Sequence, residues 1–299
     1  MTDKILFRGA ASALVTPFRS GEIDFNSLKK IISTQIASGI DALVVGGTTG
    51  EASTLSDEEK LRLYDFVISE VGGRIPVIVG CGTNCTERAT AFARAIKGLS
   101  ADGILSVTPY YNKGTNEGIK RHYLSIAEAA DLPTIIYNVP QRTGVNLPIS
   151  LIEELAKHEN IVGIKEASDS VERLAVLSAM SDKISLYAGN DSMTLPALSL
   201  GGLGVISVVS NVLPLAMHRL CESFLNQDFD EARKIQHSLV PMIKALFCEV
   251  NPVPIKYCMS LVGLCTPELR LPLSTPDSAV ARTVEEAYER YKQDYPELS

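Results

Sequence analysis

Eight short apolar runs, each followed by a stretch of helical periodicity, recur along this chain and leave few architectures open. In order they are Ala11-Ser12-Ala13-Leu14-Val15, Asp41-Ala42-Leu43-Val44-Val45, Pro76-Val77-Ile78-Val79 and Gly103-Ile104-Leu105-Ser106-Val107. Then come Pro133-Thr134-Ile135-Ile136-Tyr137, Ile161-Val162-Gly163-Ile164-Lys165-Glu166-Ala167-Ser168, Ile184-Ser185-Leu186-Tyr187-Ala188 and Gly204-Val205-Ile206-Ser207-Val208-Val209. They fall at intervals of roughly 20 to 35 residues, the span of one strand, one helix and two connections. Strands apolar on both faces belong in a parallel sheet covered by helices. Eight such units predict an α/β fold of the (β/α)8 or TIM-barrel type, with an open doubly wound sheet as the alternative.

Between the runs the period changes. Residues 24–38 place Phe25, Leu28, Ile31, Ile32, Gln35 and Ile36 near one helical face. Ser56-Asp57-Glu58-Glu59 carries the capping-box spacing that starts a helix. From about Pro214 onward the chain reads as helices without strands, broken at Asn251-Pro252-Val253-Pro254 and at Leu271-Pro272. The predicted division is therefore 1–211 for the barrel core, with its last helix beyond it, and 212–299 for a small helical appendage. No low-complexity linker separates the two, so they are expected to fold as one body.

Of the 299 residues, 45% are hydrophobic, ample for a large core, and the formal charge is −7. No block of lysines and arginines stands out, which argues against a nucleic-acid or anionic-membrane partner. No apolar stretch reaches the roughly 18 residues of a membrane span. The segment Met1 to Gly9 lacks the long apolar core of a secretory signal, so a cytoplasmic protein is expected. Six cysteines, Cys81, Cys85, Cys221, Cys248, Cys258 and Cys265, form no CxxC pair, and four lie far apart among apolar residues. Cys81 and Cys85 stand at a spacing open to a metal or redox pair, yet no histidine lies near. Reduced thiols are the expectation. The four histidines, His122, His158, His218 and His237, are scattered in polar, helix-like contexts, and no metal site is expected from them.

In a barrel the chemistry sits at the C-terminal ends of the strands. Those ends are unusually polar here. The second carries Gly46-Gly47-Thr48-Thr49-Gly50-Glu51, the fourth Thr108-Pro109-Tyr110-Tyr111-Asn112 and the fifth Tyr137-Asn138-Val139-Pro140-Gln141-Arg142-Thr143-Gly144. The sixth holds Lys165, and the seventh ends in Gly189-Asn190-Asp191. A strand-borne lysine among apolar neighbours loses hydration, which favours the neutral amine, and a neutral amine attacks a carbonyl to form a Schiff base. A lysine snorkelling from a strand end is the plain alternative. Glycine-flanked threonines suit a carboxylate, a tyrosine beside the lysine can carry protons to and from a carbinolamine, and Arg142 presents a fork for a second carboxylate. Taken singly these residues read as a turn, a packed aromatic pair and a solvated charge. Taken together, on five strand ends of one mouth, they fit imine chemistry with Thr48, Thr49, Tyr137 and Lys165 facing one pocket. Gly201-Gly202-Leu203-Gly204 looks like a phosphate loop but precedes a strand, where a helix-ending glycine is the better reading.

Gly47-Thr48-Thr49-Gly50-Glu51, Thr108 to Asn112, Tyr137 to Gly144, Gly163-Ile164-Lys165-Glu166 and the late Asn251 to Lys256 segment together resemble the 4-hydroxy-tetrahydrodipicolinate (dihydrodipicolinate) synthase family. It belongs to the pyruvate-dependent class I aldolases, which also include N-acetylneuraminate lyase. The resemblance runs from about Gly9 to Leu264 and implies a lyase of lysine and diaminopimelate biosynthesis. It implies that Lys165 forms the Schiff base with pyruvate and that Tyr137 relays protons through Thr48 to Tyr111. In the family that last tyrosine reaches in from a neighbouring subunit, which implies a homo-oligomer, a dimer or a homotetrameric dimer of dimers. Thr49 and its loop amides would hold the pyruvate carboxylate, Gly189 and Ile206 would line the pocket, and Arg142 would take the carboxylate of L-aspartate 4-semialdehyde. The pyruvyl enamine would attack the aldehyde and the product would cyclise, with no metal or organic cofactor. Two other readings stay open: an aldolase for a sugar acid such as N-acetylneuraminate or a 2-keto-3-deoxy acid, and a non-catalytic barrel that senses keto acids. Ala52, Ser53, Asn84 and Tyr110 match positions at which members bind L-lysine as an inhibitor. Lys60 stands there for a histidine and Arg88 for a glutamate, and both would repel lysine's ammonium groups, so weak or no lysine inhibition is expected.

Overall fold

Each predicted run alternates between residues aimed at the barrel interior and residues aimed at the helices, and the structure turns that period of two into two apolar layers. It is a computed structural model that describes residues 5–298; Met1 to Lys4, the start of the segment read for a leader, and Ser299 lie outside the described residues. The chain opens with β1 (Gly9–Ala13), a hairpin of β2 (Phe18–Arg19) and β3 (Glu22–Ile23), and α1 (Phe25–Ala37). There follow β4 (Ala42–Val45), α2 (Asp57–Val71), β5 (Val77–Gly80), α3 (Thr86–Ile96), β6 (Gly103–Val107) and α4 (Asn116–Ala130). Next are β7 (Thr134–Asn138), the short α5 (Pro140–Thr143), α6 (Ile149–Leu155), β8 (Ile161–Glu166), α7 (Val171–Ser178), β9 (Ser185–Ala188) and α8 (Thr194–Ser199). The last strand, β10 (Gly204–Ser207), leads into α9 (Pro214–Leu225), α10 (Phe229–Leu246), α11 (Val253–Leu261) and α12 (Ser278–Asp294).

Among the described residues, eight parallel strands close in the order β1-β10-β9-β8-β7-β6-β5-β4, the (β/α)8 barrel predicted. Closure runs through β1, whose Ala11 pairs with Ile206 on one side and Ala42 on the other. Ala11, Ala42, Val44, Ile78, Leu105 and Ile135 belong to the inner core, while Leu43, Val45, Val79, Ile104, Ile136 and Ile164 join the layer under the helices. Phe7 stacks on Tyr187 with ring centroids 4.3 Å apart, and Tyr187 donates to the Phe7 carbonyl at 2.9 Å. That pair plugs the N-terminal end and leaves the other end open.

Local expectations hold at the helix starts. Asp24 caps α1 by accepting from the Ser27 amide at 3.0 Å, and Ser56 with Glu59 completes the capping box of α2. The first strand begins two residues earlier than predicted and ends earlier too, because the Val15 amide leaves the ladder for the Asn211 side chain at 3.0 Å. The β2–β3 hairpin was not predicted; Ser20 and Gly21 turn it with positive φ. Two side-chain expectations fail. His122 lies buried on α4, its ring edge-on to Tyr123, and burial lowers its pKa to about 4. Cys248, expected among apolar residues, is exposed just beyond α10. α9 packs on β1 and α10, while α12 covers α10 and α11. No helix among the described residues is long and apolar enough to cross a membrane.

Candidate active site

At the open end of the barrel lies a cavity of about 560 Å3, lined by Thr48, Tyr137, Val139, Arg142 and Asn251 among others. Lys165 projects inward from β8, only 5% exposed, and its register partner on β7 is Tyr137. Partnered residues on adjacent parallel strands point to the same face, so the amine and the ring are set side by side. The Lys165 Nζ lies 4.4 Å from the Tyr137 ring centroid. Among the described residues that nitrogen makes no hydrogen bond.

The surroundings fix this pair from behind. The Tyr137 carbonyl accepts from both the amide and the hydroxyl of Thr108, each at 3.0 Å. Glu166, next along the strand and facing outward, accepts from Asn138 Nδ2 at 2.9 Å, from Arg173 Nε at 2.8 Å and from the Ser168 amide at 2.9 Å. That network ties β8 to β7 and to the start of α7, so the lysine cannot slip in register. Asp191 is fully buried and accepts from Ser207 and from the Val208 amide at 3.0 Å; burial raises its pKa.

The glycine-threonine loop after β4 is shaped by close approach. At Gly46 φ is +66° and a Cβ would fall 2.3 Å from the Tyr64 hydroxyl, so only glycine fits. Thr48 is half-buried on the cavity wall and Thr49 is buried. Glu51 closes the loop in a left-handed conformation and forms a buried ion pair with Lys256 Nζ at 2.5 Å. Its second oxygen accepts from the Arg270 amide at 3.0 Å. Gly189 stands where β8 and β9 nearly touch, since a Cβ there would meet that of Ala167 at 2.6 Å. Ile206 points into the barrel, fully buried.

The structure thus gathers Thr48, Thr49, Tyr137, Lys165, Gly189 and Ile206 at one barrel mouth, with Arg142 on its rim from α5. Tyr111 is different. Its side chain is 89% exposed, its φ is +73°, and within this chain it makes no hydrogen bond or ring contact among the described residues. The residues matched to a lysine-binding site, Ala52, Ser53, Lys60, Asn84, Arg88 and Tyr110, line the outer part of the same cavity. Lys60 is engaged by Asp57 at 3.2 Å and lies over the Phe92 ring, whereas Arg88 pairs with no carboxylate among the described residues. Cys81 also borders the cavity; burial pushes its thiol up to about 12, which keeps it protonated. Among the described residues, no three or more His, Cys, Asp or Glu side chains cluster so as to hold a metal ion.

Sequence reasoning assigned no role to Asn251 or Lys256, which reach this mouth from the C-terminal helices. A lysine inside the otherwise apolar helix Val253–Leu261 was the legible signal for the second; the first stood only at the start of the helix-breaking Asn251-Pro252-Val253-Pro254 run, which says nothing of its partners.

Comparison with known proteins places the whole chain. The Dihydrodipicolinate synthetase family matches this chain over residues 6–290. A 4-hydroxy-tetrahydrodipicolinate synthase of Pelobacter propionicus is 46% identical over 280 residues, covering 93% of this chain and 97% of that protein. Its counterpart in Thermotoga neapolitana is 48% identical, covering 90% and 93%. The structure of the chloride-inhibited dihydrodipicolinate synthase of Acinetobacter baumannii, complexed with pyruvate, superposes with a TM-score of 0.93 at 40% identity and covers 95% of this chain and 98% of that one.

Proposed function

This chain belongs to the dihydrodipicolinate synthetase family, and on that premise we propose that it condenses pyruvate with L-aspartate 4-semialdehyde to 4-hydroxy-tetrahydrodipicolinate, in lysine and diaminopimelate biosynthesis. The observation that carries the mechanism is the buried Lys165 amine, free of hydrogen bonds among the described residues and set against Tyr137. The amine adds to the ketone carbon of pyruvate, and the carbinolamine loses water to give the Schiff base. A proton then leaves the pyruvyl methyl group and the iminium accepts its electron pair, giving an enamine. The enamine carbon bonds to the aldehyde carbon of the semialdehyde, whose oxygen gains a proton. Finally the substrate's own amino group attacks the imine carbon and releases Lys165 as the ring closes.

Tyr137 is the proton carrier in this reading, linked through Thr48 to Tyr111. Tyr111 serves from a second subunit, in a dimer or a homotetrameric dimer of dimers; an exposed tyrosine held at positive φ beside the mouth supports that. Thr49 and its loop hold the pyruvate carboxylate, Gly189 and Ile206 leave and bound the space beside Lys165, and Arg142 takes the carboxylate of the semialdehyde. The chemistry assigns the electron sink to the lysine and requires no cofactor. The chain is read as cytoplasmic, supported by the free, buried thiols of Cys81, Cys221, Cys258 and Cys265, and as one body in which 1–211 forms the barrel core and 212–299 the helical region. With Arg88 paired with no carboxylate among the described residues, lysine inhibition is weak or absent, and an inhibition constant below about a millimolar would contradict the repulsion argued from it.

The test is turnover of both substrates, coupled to a dihydrodipicolinate reductase and followed by NADPH consumption, beside borohydride trapping of the pyruvate imine. Turnover with trapping on Lys165 supports the condensation. Trapping without turnover points to a sugar-acid aldolase, and no trapping at all points to a keto-acid sensor.

A further inference from the structure

Asn251 enters the mouth from the loop before α11 and is 8% exposed. Its Nδ2 donates to the Thr49 hydroxyl oxygen at 2.9 Å, across 202 positions of sequence. Its backbone carbonyl accepts from Arg142 Nη2 at 3.1 Å. Its Oδ1 is buried with no partner among the described residues. One residue therefore touches both groups to which a carboxylate has been assigned, and touches them through different atoms.

A hydroxyl carries one proton and two lone pairs. When an amide N–H occupies a lone pair of Thr49, the hydroxyl's own proton is directed elsewhere, toward the cavity, as the donor that a carboxylate needs. We propose that Asn251 is a positioning residue that sets the Thr49 hydroxyl as a hydrogen-bond donor to the pyruvate carboxylate and steadies Arg142 through its backbone. The inference rests on the pyruvate reading above. Its chemistry is directional: an aspartate at this position can only accept, so it draws the Thr49 proton away from the cavity and adds a repelling charge.

Asn251→Asp keeps the shape and reverses the hydrogen bond. Borohydride trapping at graded pyruvate, with no semialdehyde present, should show the half-saturating pyruvate concentration rising roughly ten- to hundredfold. The extent of trapping at saturation should not change. Asn251→Ala, which adds no charge, should raise it less and serves as the deciding variant if the aspartate protein does not fold. The KM for semialdehyde should stay within about twofold in both variants, because Arg142 contacts a carbonyl that every substitution retains. In a Thr49→Val background, Asn251→Ala should cause no further rise. An unchanged half-saturation in a folded Asn251 variant overturns the inference, as does an effect of Asn251→Ala that persists in full without the Thr49 hydroxyl. If the parent enzyme itself traps no pyruvate, it is the condensation reading that has failed, and the inference falls with it.

Discussion

Among the described residues two lysines are buried, and their surroundings are opposite. Lys256 is 0% exposed, paired with Glu51 at 2.5 Å, bonded to the Glu268 carbonyl at 2.7 Å and placed over the Phe18 ring at 4.2 Å. Burial lowers its pKa while Glu51 pulls it back. Lys165 is buried too but has an aromatic face and no hydrogen-bond partner among the described residues. A buried cation that is paired and bonded is a structural group, since removing either partner strands a charge in a medium that cannot solvate it. A buried amine left without such partners is available for covalent chemistry. The same residue type is thus an anchor in one place and, in the proposed mechanism, the nucleophile in the other, and the first holds Glu51 at the end of the loop that carries Thr48 and Thr49.

The same substitution at both sites is the sharpest way to break that contrast. Lys165→Met keeps much of the volume and removes the amine, so kcat/KM in the coupled assay should fall at least about ten-thousand-fold. Its unfolding midpoint should stay within about 3 °C of the parent by calorimetry. A large drop in stability would make Lys165 another anchor. Lys256→Met should do the reverse: about 3–5 kcal/mol of stability lost in denaturant titration, because Glu51 is left buried and unpaired, with pyruvate still trapped by borohydride on Lys165. Loss of trapping in a folded protein would mean that the two lysines are not separable.

Arg142→Ala probes the mouth between them. It should form the pyruvate imine normally yet lose about a hundredfold or more in kcat/KM for semialdehyde, and unchanged kcat/KM would remove Arg142 from the site. The smallest effect is expected away from the chemistry. At the start of β4, His218 Nδ1 meets Asp41 Oδ2 at 3.1 Å, and that carboxylate raises the imidazole's pKa above 6.5. A raised folded pKa means stability fully present below the unfolded value and lost as pH climbs through the folded one. The loss should be under about 1 kcal/mol between pH 6 and 8. His218→Gln should flatten that part of the stability curve without altering pyruvate trapping; an equally sloped curve would show that the pair contributes nothing.

Local patterns alone determined much of this protein. The near-continuous apolar character of the eight runs dictates strands buried on both faces, and their spacing dictates a helix between each pair. The capping box at Ser56 and the polar strand ends, with Lys165 inside an apolar strand, are equally local and were legible for that reason. What the tertiary structure decided lies across the chain. The β2–β3 hairpin is two residues per strand, too short for a period, and it is held by the distant Glu268. His122 looked like a solvated helix residue until α3 and α4 packed together around it. Asn251 and Lys256 meet Thr49 and Glu51 from more than 200 positions away. Hydrophobic periodicity reports which face of a segment is buried, but it holds no information about which distant polar group will meet it there. Only closure of the barrel, which brings all strand ends to one mouth and folds the C-terminal helices against it, could choose those partners.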